Sequence, residues 1–320
     1  MSNRLSYLIR RLAQVPFVLL VVTITIFGLI HVTPGDPIQI MLGMETSPDA
    51  VAKLRQQYHL DKSLPMQYLI WISNALQGNL GESIRLNQPV TRMIADRFPV
   101  SLNLAASAMA FALLICIPTG IISAIKRNSG TDYLFSGMAI FGLSIPNFAL
   151  ALLLIFVFAV KLEWVPITGI GSVAGKMHES LWQTIGPYIL PAVALGAQQT
   201  AILQRLLRSS MIDVLSQDYI RTARAKGVPG WAILAIHALK NALIPVVTMV
   251  AIQFGYMIGI TITIEYIFAI PGMGLTLLNA VVNRDFPVIQ GFTLAIAIFF
   301  IFANIIADLL YTLLDPRIRY

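Results

Sequence analysis

The sequence predicts an all-α membrane protein with six transmembrane helices, and two observations lead to this fold class. Of the 320 residues, 57% are apolar and only 12% are charged, whereas a soluble domain averages about 25% charged residues. Several apolar stretches are as long as the roughly 20 residues that a membrane-spanning helix needs. A soluble fold of this size could not hide so much apolar surface, so lipid must cover part of it.

The first apolar stretch, residues 12–31, follows a short basic start and fits either a signal peptide or a retained helix. It is longer than the apolar core of a typical signal peptide, and no small-x-small cleavage site follows it. We therefore expect a retained helix. It should end at Thr33-Pro34-Gly35-Asp36-Pro37, because two prolines and a glycine cannot continue a helix.

A long polar segment, residues 36–98, separates the first predicted span from the others. Two stretches in it, Pro48–Tyr58 and Pro65–Leu76, have apolar residues at helical spacing. The second contains Tyr68 and Trp71, which favour an amphipathic helix at the membrane surface. The remaining spans are predicted from five later apolar stretches, at residues 100–124, 133–160, 188–207, 242–264 and 288–314.

The fourth predicted span, residues 188–207, is the most polar because it contains Gln198, Gln199 and Gln204. A helix that faces a polar pathway would have this pattern. Buried contacts between helices explain it equally well.

The distribution of charge predicts the topology. An even number of spans places both termini on one side, and that side holds 13 Lys/Arg against 4 Asp/Glu. The opposite side holds 9 Lys/Arg against 10 Asp/Glu. Because positive loops remain in the cytoplasm, we expect both termini to be cytoplasmic. The net charge of +7 therefore needs no nucleic-acid partner.

Several classes of site and mechanism are not favoured by the sequence. The single cysteine, Cys116, gives no disulfide framework, and the four histidines have no ligand spacing. No catalytic or phosphate-binding motif is present, so neither a metal, a cofactor nor an enzymatic activity is predicted. Asp308 is the only acidic residue well inside a predicted span, at a cost of about 2.5–3.5 kcal/mol, and should face the bundle interior or a helix end. Since ion-coupled carriers usually need more such groups, energy for uphill transport should come from another chain.

Prolines and glycines within or beside the spans predict bends. Pro118-Thr119-Gly120 and Ser144-Ile145-Pro146 free backbone carbonyls inside the second and third spans, giving either a static kink or a wall of a polar cavity. Ile270-Pro271-Gly272-Met273-Gly274 should form a short re-entrant or capped loop on the outer side. The residues predicted to line or gate a pathway are Ser144, Pro146, Gln198, Gln199, Glu265, Pro271 and Gly272.

A basic loop, residues 208–240, lies on the predicted cytoplasmic side. Within it, Asp218 or Ser216 could cap the start of a short helix, and Gly227 and Pro229 should stop it. A second short helix, Trp231 to Leu239, should lead into the next span. The loop could bind anionic lipid headgroups, or its first helix could dock on a protein. Arg221, Arg224 and Lys226 would be exposed on that helix, with Ile220 and Ala223 forming its apolar face.

The loop resembles the "EAA" loop of bacterial ATP-binding-cassette (ABC) importer permeases, in the version of the dipeptide/oligopeptide/nickel class. Arg221-Thr222-Ala223 stands where other classes have Glu-Ala-Ala. The resemblance covers nearly the whole chain. Its ordered motifs are Thr33–Pro37, Leu60–Lys62, Gly78–Ser83, Asp218–Gly227, Asn241–Pro245, Glu265–Phe268, Pro271–Gly274, Arg284–Pro287 and Leu314–Tyr320. Asn79 departs from the family pattern, in which aspartate is common there.

The resemblance implies a type I ABC importer (MetI-like) permease bundle. It divides the chain into an N-terminal helix and extracytoplasmic segment (1–94), a permease domain (95–314) and a cytoplasmic tail (315–320). It implies as partners a second homologous permease, two ATP-binding subunits that carry the ATPase activity, an extracytoplasmic solute-binding protein and membrane lipid. The implied ATPase-coupling residues are Asp218, Tyr219, Ile220, Arg221, Thr222, Ala223, Arg224, Ala225, Lys226 and Gly227.

The expected function is import of di- or oligopeptides across the bacterial cytoplasmic membrane. A nickel chelate, glutathione or an opine stays open as the substrate, because affinity should reside mainly in the binding protein. The rival functions are a channel or ion-coupled carrier that acts alone and a membrane scaffold. Co-purification of an ATPase would separate the importer from the first rival, and uptake into vesicles would exclude the second.

Overall fold

The structure is a computed structural model that describes residues 2–32, 61–165 and 181–314. Within these ranges the chain is helical and contains no β strand, apart from an isolated bridge between Glu82 and Pro89. This confirms the all-α fold class. The predicted helix Pro48–Tyr58, the Thr33–Pro37 stop and the C-terminal motif beyond Leu314 lie outside the described residues.

The described helices follow one another along the chain with short connections. In order they are α1 Ser2–Val32, α2 Leu64–Leu76, α3 Val90–Ile125, α4 Gly130–Ser144, α5 Asn147–Lys161, α6 Leu181–Leu215, α7 Asp218–Ala225, α8 Gly230–Ile267, α9 Met273–Val282 and α10 Phe286–Leu314. The last part of α5, Ile155–Lys161, and an early part of α8, Ile233–Ala238, are π-helical.

Three of the described helices are long and apolar enough to cross a membrane: α3, α8 and α10. The α4–α5 pair makes a fourth crossing if the two helices count as one bent span. The apolar part described in α1, Ala13–Leu29, is shorter, and α6 is interrupted by polar residues. The prediction of six spans therefore stays a prediction for the first and fourth.

Two helices are longer than their predicted spans. Helix α3 starts at Val90 rather than near residue 100, and α6 runs over Leu181–Leu215 rather than 188–207. Hydropathy detects only the apolar part of a helix, whereas backbone hydrogen bonding continues through the polar turns at either end. The helical residues beyond the apolar window therefore escaped prediction.

The two predicted proline bends differ. Between α4 and α5 the chain bends by 102° at Ser144-Ile145-Pro146, which confirms a bend there. Ile145 is extended, as expected for a residue before proline. Around Pro118, in contrast, α3 continues without a break, and the Thr119 hydroxyl donates to the Ile115 carbonyl oxygen at 2.7 Å. A proline inside a helix removes one donor but does not by itself end the helix.

Two compact units divide the chain, and the first comprises residues 1–100 and 272–301. In it, α2 packs against α1 through Tyr68 and Trp71, whose rings lie 5.5 and 6.4 Å from that of Phe27. The Thr23 and Tyr68 hydroxyls are 2.9 Å apart, within hydrogen-bond distance. The predicted amphipathic helix is thus present. A separate apolar core joins α3, α9 and α10 through Val90, Met93, Met273, Ala280, Val288 and Phe292.

The second unit comprises residues 101–271 and 302–320, and α6 is its central helix. Helix α6 packs against α4, α5 and α8. Its backbone also approaches α3 closely, because a Cβ atom added at Gly196 would lie 2.6 Å from the Ala108 carbonyl oxygen. On α3, Ala105, Ala108 and Ala112 are fully buried. Small residues at such crossings let membrane helices pack backbone to backbone.

Candidate functional site

The short cytoplasmic-loop helix α7, Asp218–Ala225, begins differently from its prediction. Gln217 occupies the N-cap position, and no side chain caps the helix. The Ser216 hydroxyl donates to the Asp213 carbonyl oxygen at 2.7 Å, one turn back in α6, so it is not directed toward α7. Asp218 is the first helical residue, where its charge favours the positive end of the helix dipole. The predicted capping by Asp218 or Ser216 was therefore wrong.

The end of α7 is as predicted. Gly227 has a φ of +75°, its N–H donates to the Arg224 carbonyl oxygen at 3.0 Å, and the Val228 N–H donates to that of Ala223 at 3.2 Å. These two bonds form a Schellman motif, in which glycine tolerates the left-handed backbone that other residues rarely adopt. The loop therefore leaves α7 in a fixed direction.

One face of α7 is buried and the rest is exposed. Ile220 is fully buried and is the only buried residue of the helix. Helix α7 packs on the π-helical turn Ile233–Ala238 of α8, and the Asn241 side-chain amide donates to the Tyr219 hydroxyl at 2.9 Å. All three predicted basic residues of this loop helix are exposed: Arg221, Arg224 and Lys226. The predicted division into an apolar contact and a basic surface is confirmed.

The predicted second helix of the loop is not separate. Residues 231–239 belong to α8, which runs without interruption from Gly230 to Ile267. Pro229 precedes the helix as its N-cap, and Pro245 lies inside it. The π-helical turn takes up the irregularity within a continuous helix, so α7 is braced directly by the start of a spanning helix.

A buried ion pair lies at the cytoplasmic end of the second unit. The Arg208 Nε and Nη2 atoms of α6 donate to the two carboxylate oxygens of Asp132 in α4, at 2.7 and 2.6 Å. The Asn128 N–H donates to the same carboxylate at 2.9 Å, and Asp132 is only 2% exposed. The sequence predictions did not include this pair. Ser129-Gly130-Thr131-Asp132 has the spacing of a helix start, but nothing local identifies Arg208 as the partner.

Glu265 is fully buried, and the Ser101 hydroxyl donates to its Oε1 atom at 2.6 Å. Because α8 extends to Ile267, Glu265 lies inside a helix rather than just beyond a span. Asp308 is half-buried, so it is not the only acidic residue deep in the helical bundle. That part of the prediction was wrong, because the apolar window ended too early.

Two of the three glutamines of α6 are buried. Gln199 is 3% exposed and Gln204 is 2% exposed, whereas Gln198 is half-buried. The Gln204 amide donates to the Ser123 hydroxyl of α3 at 3.3 Å, so it makes the interhelical contact that was one of the two interpretations. For Gln199, the contact with other helices is not settled by a hydrogen bond, since its Oε1 atom has no hydrogen-bond partner within the described residues.

The other predicted pathway residues fall in separate places. Ser144 and Pro146 lie at the α4–α5 bend, and both helices pack on α6, which carries Gln198 and Gln199. The Ser144 hydroxyl donates back to the Ile140 carbonyl oxygen at 2.9 Å. Pro271 closes the part of the second unit that follows α8. Gly272 is the N-cap of α9 in the first unit, so the predicted outer loop contains a ten-residue helix.

In the first unit a buried carboxylate joins two of the sequence motifs. The Ser83 hydroxyl donates to Asp285 Oδ2 at 2.5 Å, and the Ile84 N–H donates to Oδ1 at 3.2 Å. Asp285 is 4% exposed. The Asn79 side-chain oxygen accepts from the Gly81 N–H at 3.0 Å, a bond that aspartate could also make, so this departure leaves the turn intact.

Among the described residues, no group of three or more His, Cys, Asp or Glu side chains could hold a metal ion. The buried polar groups instead hold helices and loops together. Chemically, the arrangement offers a helical bundle with a bent hairpin, buried hydrogen-bonded carboxylates and a rigidly mounted basic helix.

Comparison with known proteins gives the family. A family described as the inner-membrane component of binding-protein-dependent transport systems matches residues 116–320, and the N-terminal family of the same components matches residues 4–105. The chain is 44% identical over 318 residues to a protein of Brucella ovis that carries the name of a peptide permease, covering 98% of this chain and 99% of that protein.

Two further relatives carry the name glutathione transport system permease protein GsiC. Those of Escherichia coli (strain K12) and Shigella dysenteriae are each 42% identical to this chain over 316 residues, covering 99% of both chains. The helical fold, the basic loop and these matches agree with the resemblance found in the motifs. The chain is a multi-pass inner-membrane protein that belongs to the family of permease subunits of binding-protein-dependent ABC importers.

Proposed function

We propose that this permease imports di- or oligopeptides and that α7 receives the motion of a cytoplasmic ATPase. The observation that carries the second part is the mounting of α7. Its basic residues are exposed, Ile220 is fully buried, and the Schellman motif at Gly227 fixes its exit. A helix that transmits a displacement needs an accessible surface for the partner and a rigid base, and α7 has both.

The proposed assembly contains two homologous permeases, two ATP-binding subunits and an extracytoplasmic solute-binding protein. The ATP-binding subunits would hydrolyse ATP on the cytoplasmic side, where both termini of this chain and α7 would lie. The support for this orientation is the excess of 13 Lys/Arg over 4 Asp/Glu on that side. The N-terminal helix and outer segment (1–94), the permease domain (95–314) and the tail (315–320) remain the proposed division of the chain.

In the proposed cycle, ATP binding and hydrolysis change the contacts of the ATPase with α7, and the permease helices alternate between outward-facing and inward-facing states. Such an alternation requires contacts that differ in free energy between the two states. The bent α4–α5 hairpin, with Ser144 and Pro146, and the glutamines Gln198 and Gln199 of α6 are the proposed pathway elements. Glu265, Pro271 and Gly272 are proposed at its outer end.

Peptide is the proposed substrate class because the Brucella ovis relative carries the name of a peptide permease. Glutathione is the second candidate, since the Escherichia coli relative is named for it and glutathione is itself a small peptide. The two candidates share peptide bonds, an amino group and carboxylates, so one pathway could pass either of them. Selection would then depend mainly on the binding protein.

Reconstitution tests the proposal. The complete complex in proteoliposomes, with its binding protein, should take up radiolabelled trialanine only when ATP is supplied on the ATPase side. Uptake of radiolabelled glutathione in place of trialanine would assign the second substrate. Uptake of either compound without any ATPase, driven by an ion gradient, would contradict the importer.

Two variants test α7 within the same complex. Gly227→Val and the charge reversal Asp218→Lys/Arg221→Glu should abolish uptake while insertion into the membrane remains normal. Gly230→Ala is the matched control for the glycine variant, because a Cβ atom there meets nothing within 4 Å and the backbone is not left-handed. Normal uptake by both α7 variants, at normal membrane levels, would refute the assignment of the coupling helix.

A further inference from the structure

The buried pair of Asp132 and Arg208 joins three helices at one carboxylate. Asp132 lies in the first turn of α4, and its backbone N–H donates to the hydroxyl of the N-cap residue Ser129 at 3.4 Å. The Asn128 N–H, in the tight turn after α3, donates to the Asp132 side chain. Arg208 of α6 closes the arrangement with two parallel bonds. A bidentate pair fixes orientation as well as distance.

The same face of α6 is packed tightly against α3 on either side of Arg208. One turn earlier, Gln204 bonds to Ser123 of α3. Leu207 is fully buried, and a Cβ atom added at Gly120 of α3 would lie 3.1 Å from it. Met211 is also fully buried. The C-terminal part of α6 is thus held to the α3–α4 turn over about two helical turns.

Helix α6 leads directly from this contact to α7. It ends at Leu215, and only Ser216 and Gln217 separate it from Asp218. From Arg208 to Leu215 the helix rises by about 10 Å at 1.5 Å per residue. A displacement of α7 therefore reaches the Asp132–Arg208 pair through one short, continuous helix. On the other side of the pair, α4 leads from Asp132 to the 102° bend at its C-terminal end.

We propose that Asp132 and Arg208 are positioning residues for transport: their pair passes the movement of α7 from α6 to the bent α4–α5 hairpin. This inference rests on the proposed function of α7. Neither residue contacts the ATPase or the substrate in this account. The fork of Arg208 transmits rotation of α6 as well as translation, because two bonds at 2.7 and 2.6 Å leave the carboxylate no free axis.

The test separates a positioning role from a stabilising one. The double variant Asp132→Asn/Arg208→Gln removes both charges, so no unpaired charge is buried and the complex should assemble at the wild-type level. Its ratio of trialanine taken up to ATP hydrolysed should nevertheless fall at least about fivefold, the lower end of typical coupling between sites. Asp61→Asn/Lys62→Gln is the control, because that pair is 4.0 Å apart and exposed, and it should leave the ratio unchanged.

Arg208→Lys is the second variant, for the case in which the double variant fails to accumulate. Lysine keeps the charge but cannot form the fork, so the permease should accumulate while the uptake-to-hydrolysis ratio falls. A wild-type ratio in an assembled double variant, or in Arg208→Lys, would overturn the inference while the importer assignment stands. A wild-type complex that hydrolyses ATP without uptake of trialanine would instead contradict the proposed function.

Discussion

Two Asp–Arg pairs lie a short distance apart in the second unit, and they differ in almost every physical respect. Asp132–Arg208 joins two helices by a bidentate contact, with the Asp132 side chain 3% exposed. Asp218–Arg221 joins neighbouring turns of α7 by a single contact of 3.5 Å, with side chains 92% and 81% exposed. Solvent screens the second pair, whereas the first is held in a low-dielectric interior.

The contrast indicates a division of roles between the base of the loop and its tip. The buried pair fixes the position of α6 relative to α4, and its loss should affect stability and transmission together. The exposed pair adds little to stability and leaves its charges available to a partner. A loop that transmits force needs this combination of a fixed base and an accessible tip.

The largest effect is expected when the buried pair loses only one member. Arg208→Gln leaves the Asp132 carboxylate buried without its cation, which should destabilise the permease by about 3 kcal/mol. Thermal unfolding in detergent and the level of inserted protein measure this. The double variant Asp132→Asn/Arg208→Gln should recover most of the loss. An Arg208→Gln variant as stable as the wild type would remove the distinction between the two pairs.

The next effect concerns the packing that supports the base. Gly196→Ala places a methyl group 2.6 Å from the Ala108 carbonyl oxygen, so α3 and α6 must separate, at a cost of about 1–3 kcal/mol. Gly137→Ala in α4 is the matched control, because its added Cβ atom meets nothing within 4 Å. Thermal unfolding of both variants should show a loss only for Gly196→Ala. Equal unfolding temperatures would contradict the close approach of these helices.

At the tip, Gly227→Val should cost about 1–2 kcal/mol locally, because a β-branched residue is strained at a φ of +75°. The strain is confined to the end of α7, so the level of inserted permease should stay normal while uptake is lost. Uptake assays at matched membrane levels measure this. A variant that transports normally would show that the direction in which the chain leaves α7 is unimportant.

The smallest effect on stability is expected from the exposed pair. Asp218→Asn/Arg221→Gln removes an ion pair that water already screens, so the unfolding temperature should not change measurably. A fall in unfolding temperature comparable to that of Arg208→Gln would show that the two pairs are energetically alike.

The features that the sequence predicted correctly depend on neighbouring residues. The end of α7 follows from Gly227, and the bend between α4 and α5 follows from the local effect of Pro146 on Ile145. The buried contacts could not be predicted in this way. Asp132 and Arg208 are 76 residues apart, and Ser83 and Asp285 are 202 residues apart, so only the packed structure identifies the partners. Helix ends outside the apolar stretches, such as Val90 in α3, were missed for a different reason, since hydropathy does not report backbone hydrogen bonds.

A photo-crosslink tests the central claim most directly. A photoreactive amino acid in place of the exposed Arg224 of α7 should form an adduct with an ATP-binding subunit in the assembled complex. The same group in place of the exposed Gln88, on the predicted outer side, should form none with that subunit. An adduct from position 88, or none from position 224 in a complex that imports trialanine, would contradict the role of α7 as the coupling helix.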